Sequence, residues 1–243
     1  LKVHGDALVI TDQGSQAAQV GERLLPGARL RTGPRSSVML AFEDGSQVLM
    51  RQASELRLGQ SERRAIDGGF LVQVELVRGA LENMVTPRAR PDTRFEIRTP
   101  AAVAAVRGTR FRVDASELVT RTEVLEGAVE VSNPGGTVRA SAGFGALTEL
   151  GQGPQSPRPL LAGPDLTGVP PRIERLPLDL PLPALAQAAG YRTQLAPDAA
   201  FATIVSDEVS VAPRARVLDV ADGHYVMRVR AAAADGLEGL ATE

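Results

Sequence analysis

Nine of the 17 prolines in this 243-residue chain fall between Gly151 and Pro183, at Pro154, Pro157, Pro159, Pro164, Pro170, Pro171, Pro177, Pro181 and Pro183. Each removes a backbone donor and fixes φ, so neither a central strand nor a helix interior can run through this stretch. The sequence therefore predicts a first module over residues 1–150, a semi-rigid proline-rich linker over 151–171 and a second module over 172–243. Basic and acidic residues number 19 and 18 before the break and 8 and 11 after it. Neither part is a polyelectrolyte, and nucleic acid is not an expected partner.

The first module reads as β throughout. Ala7–Ile10, Val38–Phe42, Val48–Met50, Phe70–Val77, Phe95–Arg98, Phe111–Val113 and Val129–Val131 are short β-branched or alternating runs between glycine, proline and Asp-Gly breaks. Asp44-Gly45 predicts a hairpin with a two-residue loop. Only Pro100–Val106 (PAAVAAV) suggests a helical turn, since proline suits a first helical position and alanine propagates well. An all-β fold follows, either a sandwich or a solenoid. Val72–Glu82 (VQVELVRGALE) aligns without gaps on Thr120–Glu130 (TRTEVLEGAVE). If these copies stack as layers, Arg78 faces Glu126; alternatively, strand-glycine-strand corners simply resemble one another.

Composition excludes several chemistries. Cysteine and tryptophan are absent, histidine occurs twice, and Lys2 is the only lysine beside 26 arginines. There is thus no disulfide framework, thiolate metal site or cysteine nucleophile, and no set of histidines for zinc. His4 and His224 are far apart in sequence, and no serine sits in a nucleophile-elbow context. No phosphate-binding glycine motif occurs, so no cofactor or metal is expected. No apolar stretch is long enough for a spanning helix.

Two groups of charged residues remain as candidates. Alternation turns Glu75 to solvent, and Glu123 is its counterpart in the repeat. Two carboxylates at a suitable separation could serve as acid and base in a polysaccharide-active enzyme, against the commoner reading of solvated strand glutamates. The other group is an arginine run: Arg88, Arg90, Arg94, Arg98, Arg107, Arg110 and Arg112 against Asp92 and Glu96. With Phe95, Ile97, Phe111 and Val113 inward, Arg94, Glu96, Arg98, Arg110 and Arg112 point outward. On neighbouring strands Arg94, Arg98, Arg110 and Arg112 would form a guanidinium row suited to carboxylates or phosphates of an envelope protein or an anionic cell-wall polymer. The commoner outcome is pairing with Glu123, Glu126 or Glu130. Arg107 is also suited to bonding carbonyls in a tight turn.

Four stretches in order, Gly5–Ile10, Val20–Gly33 (VGERLLPGARLRTG), Ser36–Leu49 (SSVMLAFEDGSQVL) and Thr99–Val113 (TPAAVAAVRGTRFRV), resemble the FecR domain family over residues 5–148. Ala105 stands where that pattern usually has glycine. The resemblance implies an all-β, solenoid-like domain working outside the cytoplasm, in the periplasm or beyond, as part of a cell-surface signalling regulator or as an exported protein associated with peptidoglycan. An exported protein would carry its leader upstream of Leu1 or have lost it. Leu218–Gly239 resembles the late hairpin of a fibronectin type III-like domain, with the early tryptophan missing and the last strand short of room. The expected protein is a non-enzymatic envelope binding or scaffolding module. The alternatives are the extracytoplasmic sensor of a sigma-factor regulator and a polysaccharide-active β-solenoid enzyme.

Overall fold

The computed structural model describes residues 1–63, 70–87 and 94–243, and the chain divides into two compact units, Leu1–Pro159 and Leu160–Glu243. All regular structure among the described residues is β, and no helix there is long and apolar enough to cross a membrane. The proline-rich stretch is shared between the units. Gln155 N–H donates to Leu147 O in the first, and Leu161 O accepts from Leu240 N–H in the second.

The first unit contains β1 (Lys2–His4), β2 (Ala7–Thr11), β3 (Gly14–Ala17), β4 (Arg29–Thr32), β5 (Ser37–Ala41), β6 (Gln47–Met50), β7 (Glu55–Arg63), β8 (Phe70–Met84), β9 (Arg94–Arg98), β10 (Val103–Val106), β11 (Arg110–Ala115), β12 (Val119–Glu126), β13 (Ala128–Asn133), β14 (Gly136–Ser141), β15 (Phe144–Glu149) and β16 (Arg158–Pro159). They form one hydrogen-bonded network folded into two layers. Sheet A has the order β1-β5-β6-β8-β11-β12-β15-β16, and sheet B the order β3-β2-β4-β7-β8-β9-β10-β13-β14. Every pairing is antiparallel except β8 with β9.

Strand β8 belongs to both layers. Leu71–Arg78 pairs with β7 and β9 in sheet B, whereas Gly79–Met84 pairs with β6 and β11 in sheet A. The change of layer falls at Gly79, whose φ of 91° is left-handed and where a Cβ would run into the Oγ, Cα and Cβ of Ser54. A chain leaving a ladder strands its peptide groups, which must find other partners when buried. Here the Ser54 hydroxyl accepts from Ala80 N–H at 3.0 Å and also meets Ala80 O at 3.3 Å, while Thr32 Oγ1 accepts from Ser54 N–H at 3.0 Å. Gly127 (φ 78°) marks the second crossing, from β12 in sheet A to β13 in sheet B.

The sequence repeat is thus a repeat of corners. Its two copies cross in opposite senses, B to A at Gly79 and A to B at Gly127, so they do not stack as layers. Arg78 pairs with Glu55 at 3.4 Å rather than with Glu126, which meets Arg110 at 3.6 Å.

Between the layers lies one apolar core, with Leu30, Leu56, Val72, Val74, Leu76, Phe95 and Ile97 from sheet B against Val38, Val48, Met50, Leu81, Phe111, Val113 and Val124 from sheet A. Phe42 meets Phe95 edge to face at 5.7 Å. Full burial of each large side chain stabilises by about 1.5–3 kcal/mol. Pro100–Val106 is not helical. Val103–Val106 is strand β10, paired on both sides with β9 and β13, and Thr99 Oγ1 accepts from Ala102 N–H to close the preceding turn. Two ladders outweigh the small helix preference of alanine. The Asp44-Gly45 hairpin turns through three residues, not two. Phe42 N–H donates to Ser46 O, Gly45 N–H donates to Phe42 O, and Asp44 Oδ1 accepts from Ser46 N–H.

The second unit contains β17 (Leu178–Pro181), β18 (Ala188–Ala196), β19 (Ser206–Ser210), β20 (Arg214–Val217), β21 (Val226–Ala233) and β22 (Glu238–Thr242). β17 pairs β20, and a four-stranded sheet runs β19-β18-β21-β22. Tyr191, Ala215, Val229 and Ala231 form one buried cluster, and Leu178, Leu195 and Val217 another. Strand β22 is formed, and the Leu161 carbonyl bonds its outer edge. Arg192 donates to both Asp207 and Glu238 at 2.6 Å, and Arg230 meets the same Glu238 at 3.0 Å.

Substituting Gly79 by alanine should cost about 3–5 kcal/mol, and the same change at Gly127, where a Cβ meets its nearest atom at 3.1 Å, about 1–2 kcal/mol. Urea unfolding midpoints decide this; equal costs would show that the Ser54 contact is not the constraint.

Candidate functional site

The outer face of sheet B is built from the residues that alternate with the core positions of four adjacent strands, β4, β7, β8 and β9. Leu30, Leu56, Leu58, Val74, Leu76, Phe95 and Ile97 point inward. Arg29, Arg31, Glu55, Arg57, Gln73, Glu75, Arg94, Glu96 and Arg98 therefore share the other face, with Arg78 beside it at the corner. Six arginines meet three glutamates here.

The charges fall in rows set by strand register. Arg31 lies opposite Glu55, which lies opposite Arg78; Arg29 lies opposite Arg57, Arg57 opposite Glu75, and Glu75 opposite Arg98. Two of the glutamates are buried, Glu55 at 7% and Glu96 at 6% exposure. Each holds two exposed arginines. Arg31 and Arg78 reach Glu55 at 3.0 and 3.4 Å; Arg94 and Arg98 reach Glu96 at 2.8 and 3.2 Å, where Gln73 Nε2 also donates at 3.1 Å. A carboxylate withdrawn from water needs such partners. Because each takes two, each cluster retains a net positive charge and its guanidiniums are held in place.

Arg29, Arg57 and Glu75 are exposed and make no hydrogen bond or ion pair among the described residues. Like charges directly opposite across a ladder are unfavourable, so the Arg29–Arg57 pair opposes folding unless an anion lies near it. Between β7, β8 and β9 an open groove of about 470 Å³ is lined by Pro26, Gly27, Arg57, Leu58, Gly59, Gln73, Val74, Glu75 and Arg98.

Arg94 and Arg98 lie on this face, about half exposed. Arg110 and Arg112 do not join them, because β9 is in sheet B and β11 in sheet A; the expected four-arginine row does not form. Arg110 is exposed beside Glu126. Arg112, expected at the surface, is 3% exposed and bound to the equally buried Glu123, Nε to Oε2 at 2.7 Å. Its position opposite Glu123 across the β11–β12 ladder supplies the counter-charge that burial requires. Glu96 lies on the outward side as expected, yet it is buried beneath its arginines. Arg107 is exposed and bonds no carbonyl among the described residues, and the neighbouring Thr109 Oγ1 donates to Ala128 O at 3.0 Å. Arg88, Arg90 and Asp92 lie outside the described residues.

Glu75 and Glu123 do not converge. The first is exposed on sheet B and the second buried in an ion pair on sheet A, so they form no acid–base pair. Among the described residues no cluster of three or more His, Asp or Glu is arranged to hold a metal ion. Sequence reasoning missed Arg29, Arg31, Arg57 and Arg78. The signal for Arg29, Arg31 and Arg57 was the alternation in Arg29-Leu30-Arg31 and Glu55-Leu56-Arg57, which places charges outward, but the pairing of β4 with β7 and of β7 with β8 could not be read from it.

Residues 28–130 match the family described as FecR protein. The matched region runs from the start of β4 into β13, and so contains the whole arginine face and both corner glycines. It covers less of the chain than the resemblance over residues 5–148. No curated protein matches the chain. Two crystal structures of a protein from Parabacteroides distasonis described as a candidate anti-sigma factor, at 1.65 and 2.50 Å, resemble 54% of this chain at 19% identity, with TM-scores of 0.46 and 0.45. The matched part spans 59% of their length.

Replacing Arg94 and Arg98 together by alanine leaves Glu96 buried with Gln73 as its remaining partner and should destabilise by about 2–4 kcal/mol. Adding Glu96→Gln to that variant should recover part of the loss. Denaturant unfolding of both variants checks this, and no recovery would mean that the arginines act by packing alone.

Proposed function

We propose that this protein is a non-enzymatic binding module of the bacterial cell envelope, and that the outer face of sheet B docks an acidic surface of an envelope protein. The single observation that carries the reading is the pair of buried glutamates, each holding two exposed arginines. Such an arrangement fixes guanidiniums in place while leaving positive charge for a partner, which favours bidentate carboxylate recognition. The absence of aromatics from that face among the described residues favours a protein over a polysaccharide, because sugar rings are bound by stacking; the two tyrosines, Tyr191 and Tyr225, belong to the second unit. The FecR match supports a periplasmic or otherwise exported setting.

A second reading, the extracytoplasmic sensor of a sigma-factor signalling regulator, is favoured by the same match and is compatible with the same face, since a sensor of this kind also works by protein contact. For the second unit, the pairing of a two-stranded with a four-stranded sheet supports a fibronectin type III-like reading.

Immobilised poly-L-glutamate, neutral dextran and purified peptidoglycan sacculi separate the partners. The protein should bind polyglutamate in a salt-sensitive way and dextran not at all. Arg29→Glu with Arg57→Glu, both unpaired in the fold, should weaken polyglutamate binding about tenfold or more. Binding to sacculi without binding to polyglutamate would overturn the protein-docking reading in favour of a cell-wall polymer.

A further inference from the structure

We propose that the groove between β7, β8 and β9 binds a small zwitterion of the amino-acid type, a single amino acid or dipeptide with free ammonium and carboxylate groups. This deepens the preceding proposal and rests on its assignment of the sheet B face as the binding surface.

The row Arg57, Glu75, Arg98 crosses three adjacent strands with charges plus, minus, plus. Neighbouring strands lie about 4.8 Å apart, which puts a carboxylate midway between two cations. Nevertheless Glu75 pairs with neither arginine. Arg98 turns along its own strand to Glu96, and Arg57 has no partner among the described residues. All three side chains line the same groove, together with Gln73, whose Nε2 is committed to Glu96 and whose Oε1 has no partner among the described residues.

An anionic ligand would use the arginines but meet repulsion at Glu75; a cationic one would meet the reverse. A ligand carrying both signs satisfies the row. Its ammonium donates to Glu75, its carboxylate takes Arg57 or Arg98, and an amide N–H donates to Gln73 Oε1. Size agrees as well. One extended residue spans about 3.3–3.6 Å, so the charges of a single amino acid lie slightly closer than one strand spacing and those of an extended dipeptide, up to about 7 Å apart, between one and two spacings, whereas those of a hexapeptide, about 20 Å apart, lie far beyond both. The volume is within the range of small-molecule sites.

The experiment is calorimetric titration of the whole protein with Ala-Ala, N-acetyl-Ala-Ala, Ala-Ala-amide and hexa-alanine at low salt. Ala-Ala should bind, and acetylation or amidation should each weaken binding about tenfold or more, the cost of one charged hydrogen-bonding group. Weak binding of hexa-alanine marks a free small ligand as the source of the zwitterion. Equal binding of hexa-alanine would show recognition of one terminus of a larger chain and overturn the proposal.

Glu75→Gln separates this inference from the one it rests on. It removes repulsion toward polyglutamate and should strengthen that binding, while weakening Ala-Ala about tenfold. Polyglutamate binding with no Ala-Ala binding up to roughly 10 mM overturns the zwitterion site and leaves the docking face standing. Loss of both removes the face itself. Glu75 is exposed, so the variant should fold, and its thermal unfolding beside wild type verifies this.

Discussion

The first unit depends on the passage of β8 from one layer to the other at Gly79. This strand has four ladder partners, β7 and β9 before the glycine and β6 and β11 after it, so a single backbone conformation joins both sheets to the same core. The left-handed φ there is accessible to glycine at little cost, and the close approach of Ser54 leaves no room for a side chain. The Ser54 hydroxyl accepts from Ala80 N–H where the chain leaves sheet B, and Arg51 N–H donates to Ala80 O, so the peptide groups of Ala80 are not stranded.

From that corner follows the separation of the charged residues. Because the chain changes layer, residues close in sequence or aligned in the repeat end on different outer faces. Arg98 and Arg112 share the arginine run but not a surface, and Glu75 and Glu123 share a repeat position but not an environment. On sheet B the arginines stay exposed and hold buried carboxylates beneath them. On sheet A, Arg112 and Glu123 are withdrawn together, where opposite charges at 2.7 Å offset the loss of hydration.

Much of the fold was legible because it rests on local pattern. The alternation in Phe70–Val77, bounded by glycine, and in Phe95–Arg98, bounded by proline, identified strands and inward faces correctly. Pro100–Val106 misled because alanine's helix preference is a weak local term, and pairing of Val103–Val106 with β9 and β13 is a non-local one. The candidate site was legible by half. Arg94, Glu96 and Arg98 were placed on the outward face, but the burial of Glu96 beneath the two arginines was not legible, since alternation gives the side of a sheet and not the depth to which neighbours bury it. Alternation placed Arg57 outward, but its place in the row beside Glu75 depends on strand register, which no local pattern carries.

The sequence by itself determined the all-β class, the inward-facing residues of the strands holding Val72–Leu76, Phe95–Ile97 and Phe111–Val113, and the absence of cysteine chemistry. These follow from side-chain periodicity, backbone conformation and composition, which are local properties. Tertiary structure alone decided which strands neighbour one another. That choice put Arg57, Glu75 and Arg98 in one row, sent Arg112 to the opposite layer and divided the proline-rich stretch between two units. Strand register joins residues far apart in sequence, and it is set by burying the whole apolar core at once, which no single segment encodes.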